Sequence, residues 1–208
     1  MLYETKRIEK GVNKEMKKVY LVHCWSGTIL DGWYPWLKTA LESKGIEVVM
    51  ENMPNTDEPK INDWVSKLNE TVTELNEDTY FIGHSIGCQT IMRYLETKEI
   101  SKIGGLLFVA PWLDLLPEAL SDGSDEIAYE WINTPIDFNK VKQFTNNITA
   151  IFSSNDYFVS LEQEKEFKDK LNAKTVIVQN QGHISQDDGI NQSEDILNEM
   201  CNIIDERR

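Results

Sequence analysis

Short, β-branched apolar runs bounded by turn residues alternate along this chain with stretches in which apolar side chains recur every three or four positions. A strand buried on both faces reads as a near-continuous apolar run, whereas a helix packed on a sheet shows one apolar stripe at the longer spacing. The first kind of pattern predicts strands over Lys18 to His23, Ile46 to Asn52, Thr79 to Gly83, Ile103 to Ala110, Ile148 to Ser153 and Lys174 to Gln179. The second predicts helices over Trp33 to Ser43, Ile61 to Leu75, Ile86 to Glu96, Phe138 to Phe144, Ser160 to Leu171 and Glu194 to Asp205. In the second helix Ile61, Trp64, Val65, Leu68, Val72 and Leu75 form a single stripe. Strands alternating with helices imply an α/β fold, a three-layer α/β/α sandwich around a mostly parallel sheet of six strands.

Two segments stand outside the alternation. Pro117 to Pro135, carrying Asp122, Asp125, Glu126 and Glu130, reads as a loop or minimal cap inserted after the fourth strand, not as a second domain. Residues 1–15 fit no element, and the pattern begins abruptly at Met16-Lys17-Lys18-Val19. Met16 is therefore expected as a natural start, with 1–15 an extension and 16–208 one domain; a genuine disordered tail is the equal alternative.

Composition narrows the function classes. Across 208 residues, 35 Asp and Glu outnumber 21 Lys and Arg, for a formal net charge of −14. Phosphate recognition rests on clustered basic side chains, so nucleic acid is not an expected partner, nor is an anionic membrane surface. The same charge repels anionic substrates. No apolar run reaches the roughly 18 residues of a membrane span, and the first residues are too polar for a secretory signal. Cys24, Cys88 and Cys201 are odd in number and widely spaced, which indicates neither disulfides nor zinc and points to the cytoplasm. Asp187-Asp188-Gly189-Ile190 lacks the alternating ligands of a calcium loop, so no metal is expected.

The candidate chemistry sits at Gly83-His84-Ser85-Ile86-Gly87, a GxSxG sequence directly after a predicted strand and directly before a predicted helix. That context defines a nucleophile elbow, a tight turn that lifts a serine hydroxyl above the sheet beside a helix N-terminus. Serine needs a base to take its proton. Of three histidines, His84 lies inside the elbow and His23 ends the first strand, which leaves His183, in the loop after the last strand. An acid must fix the tautomer of that histidine. Asp156, just past the fifth strand, is preferred; Asp114 after the fourth is its rival, and Asp187 and Asp188 lie near His183. The order Ser85, Asp156, His183 is the chain order of α/β-hydrolases. Backbone N–H groups of Ile86 and of Trp25, in the loop after the first strand, are the expected oxyanion donors. Ser26 and Trp112 are expected substrate contacts. Trp25, Trp33, Trp36, Trp112 and Trp131 fall where they could wall a small apolar pocket, although core packing is at least as good a reading for Trp33, Trp36 and Trp64. Cys24 has no base or positive charge nearby and reads as a small filler.

These residues resemble the small serine hydrolases of the α/β-hydrolase superfamily that include the bacterial YdeN proteins and retinoblastoma-binding protein 9. The similarity runs from Met16 onward and rests on Val19-Tyr20-Leu21-Val22-His23, Trp33-Tyr34-Pro35-Trp36-Leu37, the GxSxG sequence, Ala110-Pro111-Trp112, Ser153-Ser154-Asn155-Asp156 and Gly182-His183. The resemblance implies a compact sheet without a large lid and carries the triad roles to Ser85, Asp156 and His183. It implies acyl transfer to water on small or short-acyl esters, with amides left open and no cofactor. Superfamily members commonly carry His-Gly at the end of the first strand, and here Cys24 replaces that glycine. A protein-interaction module on the same fold, with a protein partner or a homodimer, is the rival from another class, and non-hydrolytic acyl transfer is a third reading.

Overall fold

The computed structural model describes residues 16–120 and 123–206. The expected N-terminal extension, residues 1–15, and the choice between Met1 and Met16 lie outside the described residues. Six strands form one sheet: β1 (Lys18–Val22), β2 (Glu47–Met50), β3 (Thr79–His84), β4 (Gly105–Val109), β5 (Ile148–Ser153) and β6 (Lys174–Val178). Every pairing is parallel and the order is β2-β1-β3-β4-β5-β6. The helices are α1 (Tyr34–Glu42), α2 (Ile61–Thr71), α3 (Ile86–Glu96), α4 (Ser124–Asn133), α5 (Phe138–Phe144), α6 (Gln163–Leu171) and α7 (Glu194–Asp205).

Successive residues of a strand point to opposite faces, and the core divides accordingly. Tyr20, Phe81, Leu106, Phe108, Ala150 and Phe152 pack beneath α2, α3, α5 and α6. Val19, Leu21, Tyr80, Ile82, Leu107, Val109 and Ile151 pack against α1 and α7. Both faces are covered, giving the three layers that the sequence pattern predicts. The chain turns outward from β1 to β2 and then starts again on the other side with β3. That reversal opens a crevice at the carboxyl ends of β1 and β3, where open α/β sheets bind ligands.

The structure differs from the sequence pattern mainly at element ends. Helix α2 stops at Thr71 because Val72 turns extended (φ −81°, ψ 110°), so the apolar stripe outlasts the helix and Leu75 reaches the same core from the following segment. The segment after β4 is not a bare loop: it holds a 3-10 turn, Pro117–Leu120, and the ten-residue α4. Trp131 anchors that small cap. It is buried against Trp64, with ring centroids 6.0 Å apart, and its indole N–H donates to Pro59 O at 3.0 Å. Among the described residues no helix is long and apolar enough to cross a membrane.

Candidate active site

Ser85 occupies the one-residue joint between β3 and α3 with φ 55° and ψ −121°, a region that side chains rarely enter. The joint survives because its flanks admit nothing larger than hydrogen. A Cβ on Gly83 would lie 2.7 Å from the Cys88 backbone, and one on Gly87 would lie 2.8 Å from His23 O and closer still to Val22 O. The turn is fastened by Ser85 N–H donating to Val109 O at 2.9 Å and Cys88 N–H donating to Ser85 O at 3.0 Å. Ser85 Oγ accepts from the Trp112 indole N–H at 3.1 Å.

Two segments at the carboxyl ends of β5 and β6 are joined rung by rung. Asn180 N–H donates to Ser154 Oγ (3.0 Å), Gln181 N–H to Ser153 Oγ (3.1 Å) and Gly182 N–H to Asn155 Oδ1 (2.9 Å). The next rung is His183 Nδ1 with Asp156 Oδ2, at 2.8 Å. The other carboxylate oxygen of Asp156 accepts the N–H groups of Phe158 (2.9 Å) and Val159 (3.1 Å), so the acid is held on both sides. Both side chains are almost wholly buried. The Phe158 ring stands edge-on to His183 with centroids 5.1 Å apart. Asp114 takes no part: Gln163 clamps its backbone, and its carboxylate accepts Leu115 N–H at 2.9 Å. Asp188 accepts both Ser185 N–H and Ser185 Oγ, and Asp187 lies at the rim of the crevice.

The loop after β1 is fixed by the other two histidines, and acceptor-only partners reveal their tautomers. His23 Nε2 accepts Met53 N–H at 2.9 Å, so Nδ1–H donates to Cys24 O at 2.8 Å. His84 Nε2–H donates to His183 O at 2.9 Å, leaving Nδ1 to accept the Tyr34 hydroxyl at 2.6 Å. That hydroxyl in turn accepts Cys24 N–H at 3.2 Å. A directed chain thus runs from the β1 loop through Tyr34 and His84 to the backbone of His183. Burial keeps it neutral, pulling His84 down to about 4 and pushing the Tyr34 phenol well above its ordinary range. Burial also pushes the Cys24 thiol up, as suits a filler, and Cys24 is not among the positive-φ residues. The glycine-to-cysteine replacement therefore needs no left-handed backbone. With Cys24 N–H engaged, Trp25 and Ile86 are left with N–H groups that meet no protein acceptor among the described residues.

Ser85, His183, Trp25, Ser26, Trp112 and Cys24 line one cavity of about 620 Å³. Asp156 lies behind His183, and Ile86 opens α3 beneath it. Leu115, Ala119, Ile127 and Phe158 form an apolar half of the wall, three of them from the cap and the segment leading to it. Of the five tryptophans expected near a pocket, only Trp25 and Trp112 line this one. Trp33 donates its indole N–H to Ile184 O and Trp131 is buried beneath the cap, while Trp36 packs on the α1 face. Sequence reading missed Tyr34, Asn155 and the cap residue Ile127. Tyr34 and Asn155 fall inside two of the runs that carry the family resemblance, where nothing gives them a role of their own; Ile127 lies four residues before Trp131, a helical spacing inside the acidic segment.

An all-parallel sheet in this order, with a strained serine between its central strand and helix and an Asp–His pair at the same edge, defines an α/β-hydrolase. Within that class the chain belongs to the serine hydrolase family, whose model matches residues 19–201. YdeN of Bacillus subtilis (strain 168) is 30% identical over 174 residues, covering 83% of this chain and 88% of that protein. The crystal structure of the B. subtilis ydeN gene product superposes with a TM-score of 0.83, at 27% identity over 91% of this chain and 99% of that one. Serine hydrolase RBBP9 of Rattus norvegicus is 30% identical over 153 residues, covering 73% of this chain and 77% of that protein. A carboxylesterase of the thaumarchaeon Nitrososphaera gargenis shares the fold at a TM-score of 0.69 and 17% identity, with 93% of each chain covered.

Proposed function

We propose that this serine hydrolase cleaves small carboxylic esters through an acyl-enzyme on Ser85. The observation that carries the reading is the His183–Asp156 pair, 2.8 Å apart and buried, whose histidine lines the same cavity as the strained Ser85. His183 Nε2 takes the Ser85 proton as Oγ bonds to the ester carbon, and the carbonyl electron pair moves onto oxygen. The Trp25 and Ile86 N–H groups receive that oxyanion, worth about 3 to 4 kcal/mol per donor in such sites. Collapse expels the alcohol, which takes the proton back from His183. Water then repeats the sequence on the acyl-enzyme, and Oγ leaves with its proton. Asp156 holds Nδ1–H and stabilises the imidazolium. Ser26 and Trp112 border the bound ester, and the apolar wall from the cap takes a short acyl chain.

A fluorophosphonate probe tests the nucleophile. Wild-type protein labels and Ser85→Ala does not, while Asp156→Asn folds normally and loses kcat by about four orders of magnitude. Labelling that persists in Ser85→Ala would overturn the assignment. Esters of graded acyl length give the substrate range, with short chains expected to lead.

A further inference from the structure

We infer that the indole N–H of Trp112 is a catalytic hydrogen-bond donor to the reacting oxygen of Ser85, set in place by a buried bridge from the cap. This rests on Ser85 being the nucleophile. The donor stands 3.1 Å from Oγ, and both residues are almost wholly buried. A hydroxyl that accepts from Trp112 keeps its own proton free for His183, so the contact leaves the hydroxyl competent for attack.

The backbone that carries the indole is held from behind. Gln89 Nε2–H donates to Trp112 O at 3.1 Å, and Gln89 Oε1 accepts Arg93 Nη2 at 2.9 Å. The same guanidinium nitrogen reaches Trp131 O (2.9 Å) and Thr134 O (2.8 Å) at the carboxyl end of α4. Gln163 clamps the next residue, accepting Leu113 N–H at 2.6 Å. Gln89 is 0% exposed and Arg93 4%, so water does not compete for these bonds. These bonds fix the Trp112 backbone, and from that fixed point the ring nitrogen makes its hydrogen bond to Ser85 Oγ.

Charge develops on Oγ twice in the reaction. In acylation its proton passes to His183 as the Oγ–C bond forms; in deacylation that bond breaks, the electron pair returns to Oγ and His183 gives the proton back. A hydrogen bond strengthens when its acceptor becomes anionic, so a fixed N–H favours both transition states over both ground states.

The test replaces Trp112 in the full chain with benzothienylalanine, which keeps the ring outline and has sulfur in place of N–H. Trp112→Phe is a second variant, and near-ultraviolet circular dichroism checks the fold of each. Burst and steady-state rates are measured with p-nitrophenyl esters of short, medium and long acyl chains. The expected result is a roughly ten- to hundredfold fall in both acylation and deacylation, equal across chain lengths and with KM little changed. Wild-type rates, a loss that grows with acyl length, or a gain in rate from a freed hydroxyl would each overturn the inference. Ser85→Ala is assayed in parallel. If it remains active the nucleophile assignment falls and this inference with it; if it is dead while the isostere is fully active, only the role of Trp112 falls.

Discussion

At the residue scale the candidate site positions stand out as letters, and most of the contacts that fix them do not. Ser85 is announced by its flanking glycines, and His183 by elimination among three histidines. Chain order admits both Asp114 and Asp156, since both lie between Ser85 and His183, and the structure puts Asp156 on His183 Nδ1 while the Asp114 carboxylate accepts Leu115 N–H. Tyr34 has no such signal, because its role arises from a contact across 50 positions with His84. The His84 link has a measurable consequence. In the folded protein burial holds this imidazole at about 4, against an ordinary value of 6.5. Between those values the unfolded chain takes up a proton that the folded one refuses, so stability rises with pH through the window. The contribution is complete above 6.5, is lost as pH falls to 4, and amounts to about 3 kcal/mol. His23, also lowered by burial, adds to the same trend. Urea midpoints at pH 4.5 and 7.5 are expected to differ clearly less in His84→Gln than in wild type. An unchanged difference would show that some other group refuses the proton.

At the element scale the strands were the most legible parts, since a doubly covered parallel strand must be apolar throughout. The pattern gave β5, α3, α5 and α7 their observed bounds, whereas β2 and β4 are shorter than their apolar runs. Those runs overshoot because Ile46 and Ile103 are buried outside the ladder, and burial, not pairing, is what an apolar run records. Helix α4 escaped notice for the opposite reason. Asp125, Glu126 and Glu130 give it the composition of a loop, although acids in a first turn favour a helix. Glycines likewise look alike in sequence and differ in what surrounds them. Gly45 has φ +78° with nothing within 4 Å of an added Cβ, so Gly45→Ala costs only the left-handed backbone, about 1 to 2 kcal/mol. At Gly87 the added carbon meets the β1 backbone, which cannot withdraw without breaking the sheet. Gly87→Ala is expected to cost at least about 3 kcal/mol, the upper range for overpacking. Denaturation midpoints of the two variants compare them directly, and equal losses would mean that β1 and α3 can separate at little cost.

At the scale of the whole molecule, strand order and charge act together on the substrate. Parallel strands put every β-to-α loop at one edge, so residues following all six strands meet around a single cavity. Its rim carries Asp57 and Glu58 beside the loop of Trp25, and Asp187 beyond His183; all three are exposed, and no Lys or Arg lines the cavity among the described residues. The apolar wall lies on the cap side, away from these acids in the chain. If the proposed ester chemistry holds, an uncharged acyl chain is expected to face the cap and a cationic leaving group the acids. The chain's net charge of −14 adds a long-range field of the same sign. Fields focused into clefts raise association rates by about ten- to a thousandfold at low ionic strength. A choline ester and the 3,3-dimethylbutyl ester of the same acid have nearly the same shape and differ in charge, so the ratio of their kcat/KM values isolates the electrostatic effect. The cationic ester is expected to lead by about tenfold at 0.01 M salt, where the Debye length is about 30 Å. Much of that lead should vanish at 0.15 M, where the length falls to about 8 Å. Asp187→Asn combined with Glu58→Gln should lower the ratio at low salt without slowing the neutral ester. Equal rates for the two esters at low salt would show that the rim charges are spent on solvent and leave selection to the apolar wall alone.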